Sequence, residues 1–256
     1  MEPPVRIGAS THRRGVGGLR RRPSLWAWLV AGSTLVLAAP IGVLAVLWVT
    51  TFEQRTTTYA VSEAVSRVEL EMADGDVEIL GGGPLRVAVR RQERSAYSHG
   101  PDERRTFVGG VLRIESRCPR IVVGHCSSDY RLTVPDNVPV RIVQHTGAIR
   151  MTSYRGAAEV STEDGDILVD AFCGFALRAV SDSGRVRVST VCSPERLELR
   201  TTSGDVTAVV PPGRYRVDAD TTGGRVRVRG VVAVEDAPWQ IQALSATGDV
   251  TVETTP

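Results

Sequence analysis

A glycine recurs through the carboxy-terminal half of this 256-residue chain at Gly147, Gly165, Gly184, Gly204, Gly224 and Gly248. The spacing of about 20 residues is that of a repeat architecture in which each unit is one supersecondary element. Two and four residues after each glycine stand apolar pairs: Ile149/Met151, Ile167/Val169, Val186/Val188, Val206/Ala208, Val226/Val228 and Val250/Val252. Seven and five residues before it stand Val140/Ile142, Ala158/Val160, Leu177/Ala179, Leu197/Leu199, Val217/Ala219 and Ile241/Ala243. Alternation with period two on both sides of a glycine means strand, corner, strand.

Three residues before the glycine the column turns small and polar, with Gln144, Thr162, Ser181, Thr201, Thr221 and Ser245. An earlier copy surrounds Gly75, flanked by Val68, Leu70 and Met72 before it and Val77 and Ile79 after it. That makes seven units, the first separated from the others by an excursion over about residues 80–135. Within the excursion, residues 85–89, 111–114 and 130–134 alternate as strands, and the polar stretch Gln92–Arg105 reads as an exposed loop. Helical periodicity is absent after residue 67, so the domain is expected to be all-β.

Two folds satisfy such a pattern: a β-solenoid whose coils are about 20 residues long, or a run of hairpins forming a sandwich. Two columns favour the solenoid. Cys173 and Cys192 each lie eight residues after a repeat glycine, and equivalent positions in stacked coils are about 4.8 Å apart, within the Cα separation a disulfide needs. A Cys173–Cys192 bridge is therefore expected, and Cys118–Cys126 follows mainly by elimination, since four cysteines allow three pairings. Charge also alternates from unit to unit, in Asp166, Arg185, Asp205, Arg225, Asp249 and again in Arg141, Glu159, Arg178, Glu198. Stacking in chain order would set each charge between opposite neighbours.

The amino-terminal part differs in kind. Ser24–Phe52 carries no charged side chain, with Trp26 and Trp28 at one end and Trp48 at the other. A helix of that length crosses a bilayer with some tilt. Six arginines precede it against only Glu2, so the tail carries +5 of a chain whose net charge is +2 and leaves −3 on the rest. The positive side stays cytoplasmic. The expected organisation is a cytoplasmic tail (1–23), a single-pass transmembrane helix (24–52), a linker (53–66) and an extracytoplasmic β-repeat domain (67–256). Cleavage of the apolar segment as a signal peptide is the alternative, and it too exports the remainder. A near-neutral folded part excludes the charge excess of a nucleic-acid binder.

The segment Val-x-Leu-x-x-x-Asp-Gly-Asp-Val-x-Ile at 68–79, echoed as Leu-x-Leu-x-Thr-x-Ser-Gly-Asp-Val at 197–206, resembles the bacterial putative-adhesin repeat family, a domain family of unknown function. The resemblance covers roughly residues 67–255. It implies a β-helical domain behind one membrane helix at the cell envelope, and it brings no catalytic residues.

The residues themselves carry no catalytic, cofactor or metal motif. Asp74-Gly75-Asp76 and Glu163-Asp164-Gly165-Asp166 lack the spacing of calcium loops and read as turns. His99, His125 and His145 lack a zinc-ligand spacing. There is neither a nucleophile elbow nor a phosphate loop, and Gly81-Gly82-Gly83 simply ends a strand. Glu163, Asp164 and Asp182 are the candidate carboxylates for a glycan-cleaving β-helix, since that chemistry needs only two acids. Arg185, Arg187, Arg225, Arg227 and Arg229 are the candidate surface for an anionic envelope polymer. The function expected is that of a non-enzymatic envelope protein presenting a binding surface, the alternatives being a stress or signalling component and the glycan-active enzyme.

Overall fold

The computed structural model describes residues 40–41, 52–83, 85–96, 100–119 and 126–255. The expected tail and nearly all of the expected membrane segment lie outside these residues. Among the described residues no helix is long and apolar enough to cross a membrane. What they form from Phe52 onward is nearly all strand.

The first strands are β1 (Phe52–Val61), β2 (Arg67–Asp74), β3 (Val77–Gly81), β4 (Val87–Ala96), β5 (Asp102–Val108), β6 (Val111–Arg117) and β7 (Cys126–Val134). The regular middle comprises β8 (Val140–Thr146), β9 (Ile149–Thr152), β10 (Ala158–Asp164), β11 (Ile167–Phe172), β12 (Ala176–Ser183), β13 (Val186–Thr190), β14 (Arg196–Ser203) and β15 (Val206–Val210). The chain ends in β16 (Arg214–Thr221), β17 (Val226–Arg229), β18 (Val232–Ala233), β19 (Trp239–Thr247) and β20 (Val250–Thr254).

These strands make two ten-stranded sheets. The strand before each repeat glycine joins the first sheet, and the strand after it joins the second. Neighbouring coils pair in parallel, offset by one repeat: Val160 lies between Ile142 and Ala179, and Ile167 between Ile149 and Val186. Such pairing is a solenoid, and it rules out hairpins turning at the glycines. The alternating apolar residues of both sheets point between them and are essentially inaccessible, as at Val68, Leu70, Val160, Val186, Leu199 and Val250.

Three expectations are corrected. Residues 52–61, expected to lie in the membrane segment and linker, form β1, paired antiparallel with β4 through contacts such as Tyr59 with Val89. The run is rich in threonine, whose branched side chain suits an extended, paired strand. The Gln92–Arg105 stretch is not one loop: Gln92–Ala96 completes β4, and Asp102–Arg105 begins β5. The excursion itself supplies an eighth coil, because β6 pairs with β2 and β7 with β3 in coil register.

The coils also do not stack in chain order. In space they run β6–β7, β2–β3, β8–β9, β10–β11, β12–β13, β14–β15, β19–β20, β16–β17. At each end the outermost coil comes from further inside the sequence, and the first coil (β2–β3) or the last (β19–β20) is inserted beneath it. The charge column after the glycines is thus broken, since Asp249 stacks on Asp205 and Arg225 comes last.

Candidate functional site

The repeat corners form a spine held by three kinds of contact. A Cβ at Gly184 would stand 2.1 Å from the Gly165 carbonyl oxygen, and Gly184 has φ +151°. The same approach, at 1.9 to 2.3 Å, recurs at Gly147, Gly165, Gly204, Gly224 and Gly248, so the coils can stack at this spacing only without a side chain there. The small polar column meets these carbonyls. Ser181 Oγ donates to Gly165 O at 2.9 Å, Thr201 Oγ1 to Gly184 O at 2.8 Å, Ser245 Oγ to Gly204 O at 2.8 Å and Thr221 Oγ1 to Gly248 O at 2.8 Å. Buried carbonyls need such partners.

The residue after the glycine supplies the third contact. Where it is aspartate, its carboxylate accepts the backbone N–H of the next coil: Asp129 from Asp76, Asp76 from Ala148, Asp166 from Arg185, Asp205 from Asp249 and Asp249 from Arg225, at 2.8 to 3.0 Å. The Asp column is therefore a set of corner caps, and this is why two aspartates can adjoin. Arg185 holds the Asp166 carboxyl below the usual carboxylate range, and Arg227 and Arg225 do the same for Asp249. In the eighth coil Ser128-Asp129 replaces Gly-Asp. Asp129 followed by Tyr130 and Leu132 is the sequence signal of that coil, and the missing glycine hides it.

On the first sheet's outer face the expected alternation holds and extends: Arg113, Glu69, Arg141, Glu159, Arg178 and Glu198 lie in one row. Arg113 binds Glu69 at 2.6 Å, Arg141 lies 3.8 Å from Glu159, and Arg178 pairs with Glu198. The expected arginine surface on the other sheet is divided. Arg185 and Arg187 belong to the β12–β13 coil, and Arg225, Arg227 and Arg229 belong to the outermost one, with β15 and β20 between β13 and β17. Arg185 is paired with Asp166 at 2.7 Å and Arg227 with Asp249 at 2.7 Å. Arg187 and Arg229 make no ion pair among the described residues.

The carboxylates Glu163, Asp164 and Asp182 are all exposed at the corners. Glu163 accepts from His145 at 2.8 Å. His99 and His125 lie outside the described residues. A depression of about 300 Å³ lies on the second sheet and includes Asp76, Glu78, Arg90, Gln92, Arg131 and Arg150. Its charges are largely internal pairs, Arg131 with Glu78 and Arg150 with Asp76.

The amino-terminal end of the stack is closed by a buried polar cluster. Arg91, 7% exposed, reaches Glu93 at 2.9 Å, Glu103 at 3.3 Å and the Pro101 carbonyl at 2.7 Å. Tyr130 and Tyr59 donate to Glu103, and Arg105 lies over the Tyr59 ring at 4.1 Å. Burial and the nearby Glu103 carboxylate push both phenols far above their ordinary range. The cluster joins β1, β4, β5 and β7, so its role is to fasten the cap.

Both expected disulfides are formed. Cys173–Cys192 links successive coils with Cα atoms 4.9 Å apart, and Cys118–Cys126 spans the corner between β6 and β7 at 6.0 Å.

A two-sheet parallel stack of glycine-cornered coils defines the class as a toastrack β-solenoid. Residues 140–255 match the Toastrack DUF4097 family, a domain of unknown function. The two amino-terminal coils lie outside that match but continue its geometry. Among solved structures, a "putative cell adhesion protein" from Clostridium sporogenes superposes with TM-score 0.50 at 12% identity, covering 79% of this chain and all of the other. A "putative adhesin" from Bacteroides fragilis gives TM-score 0.44 at 10% identity, covering 79% and 97%. A "putative lipid binding protein" from Parabacteroides distasonis gives 0.30 at 9%, covering 81% and 98%. No curated protein matches the chain.

Proposed function

We propose that this is a non-enzymatic, adhesin-like protein of the cell envelope, anchored by the apolar segment 24–52 with its tail in the cytoplasm and its β-solenoid outside. The carrying observation is that all four cysteines are paired within the solenoid. Paired cysteines suit an oxidising compartment, and the arginine-rich tail supports an orientation with the tail on the cytoplasmic side and the solenoid across the membrane from it. What the solenoid offers a partner is two ion-paired sheet faces.

The test is protease treatment of intact spheroplasts carrying the full-length protein. Digestion of the solenoid with survival of a short amino-terminal fragment is the expected result; full protection in intact spheroplasts would reverse the orientation. Sedimentation of the detergent-solubilised protein with isolated envelope polymers then tests binding. Release of reducing ends from such polymers, abolished by Glu163→Gln with Asp164→Asn, would instead make the protein an enzyme.

A further inference from the structure

The two ends of the stack are finished differently. At the amino-terminal end, β4 and β1 extend the second sheet antiparallel beyond β7, and β5 extends the first beyond β6. The outermost strand of the first sheet, β5, is exposed almost throughout and offers no inward apolar column on which another coil could rest. At the opposite end, among the described residues, β17 is the last strand of its sheet, and β16 is paired on its outer side only at Arg214 and Tyr215, by the two-residue β18. The inward residues of this coil stay open: Val226 is 42% and Val228 41% exposed, whereas Val250 and Val252, one coil deeper, are at 0%. Val217 and Ala219 on β16 are only partly buried.

Bare parallel edges with open core columns are sites for strand addition. The charges on the two edges differ in sign. β17 bears Arg227 and Arg229 on its outer side, flanked by Arg225, whereas the uncovered part of β16 bears Asp218 and Asp220. Each coil sends one strand up the first sheet and one down the second, so the sheets run in opposite directions. A two-fold axis parallel to the strands therefore brings β17 of one copy against β16 of another, antiparallel.

The geometry points to a closed homodimer formed end to end through this bare coil, with β17 of each copy pairing to β16 of the other. In that pairing Arg227 and Arg229 face Asp220 and Asp218 of the second copy, and Val228 meets its Ala219, so both core columns continue across the join. The other two-fold, β17 against β17, would oppose arginine to arginine and is disfavoured. Because the far end is capped, the contact closes at two copies and does not grow into a filament.

The test uses the full-length protein in mild detergent. Light scattering coupled to size exclusion should give a protein mass of two chains. Asp218→Arg with Asp220→Arg should weaken dimerisation at least tenfold while the variant keeps the strand circular-dichroism signal and a cooperative unfolding transition, since both side chains are exposed. Co-expressed R229C and D218C chains should cross-link to each other, whereas R229C alone should not. A wild-type monomer at high micromolar concentration, including one whose bare edge takes up a strand of another protein, would overturn the proposal. So would an unchanged dimer in the charge-reversed variant, or cross-linking of R229C to itself.

Discussion

Replacing Gly184 by alanine tests the stacking rule at the centre of the solenoid. The new Cβ would sit 2.1 Å from Gly165 O, and ordinary contact begins near 3.4 Å, so the corners must part by more than an ångström. Parting them stretches Ser181 Oγ to Gly165 O, Gly165 N to Ser183 O and Arg185 N to Asp166 Oδ1, now 2.9, 2.8 and 2.8 Å. Each such bond is worth about 1 kcal/mol net, and a non-glycine residue at φ +151° adds about 1 to 2 kcal/mol. The expected loss is ~3–5 kcal/mol. Gly82→Ala is the control, because Gly82 also has positive φ, +81°, but nothing within 4 Å of the added carbon; it should cost about 1 kcal/mol. Urea unfolding of both variants, with amide exchange to locate the weakened coils, reads the difference. If Gly184→Ala costs no more than Gly82→Ala, close carbonyl approach is not what requires glycine in the column.

Ser181→Ala leaves the Gly165 carbonyl buried without its donor and should cost about 1 to 2 kcal/mol in the same urea assay. Serine at both Cys173 and Cys192 removes a cross-link spanning 19 residues and should cost about 3 kcal/mol; reductant should cost the wild type more, because it also opens Cys118–Cys126. Deleting residues 238–256 should unravel two coils rather than one, because the strands that β16 and β17 pair with inside the stack are β19 and β20; amide exchange would show both β16 and β17 unprotected. The pH dependence has two limbs. Asp166 and Asp249 have folded pKa values below their unfolded ones, so their contribution is present above about pH 4 and lost as pH falls further. Tyr59, Tyr130 and Tyr154 have folded values raised by burial, so stability falls as pH rises past about 10. Thermal midpoints across pH and tyrosinate absorbance would register both.

The repeating unit is legible in the amino-acid sequence because its determinants are local. Period-two alternation places Val160, Val169 and Leu199 inward, the glycine marks the corner, and the cysteine spacing identifies equivalent positions in successive units. The polar column is equally visible, but its purpose is not: that Ser181 serves the carbonyl of the neighbouring coil is a relation between residues 16 apart. Sequence proximity of Arg225, Arg227 and Arg229 likewise does not report that Asp249 of the neighbouring coil pairs with Arg225 and Arg227.

Composition and spacing by themselves determined that the chain builds an all-β rack of about 20-residue coils with a cross-linked corner. Only the tertiary structure decided the order of the coils, the use of Phe52–Val61 and Asp102–Val108 as covering strands, and the bare carboxy-terminal end. The physical reason is that coils of one register present nearly equivalent edges to one another. Local sequence then says that a coil will stack but not upon which neighbour, and the choice falls to long-range fit at the two ends of the rack.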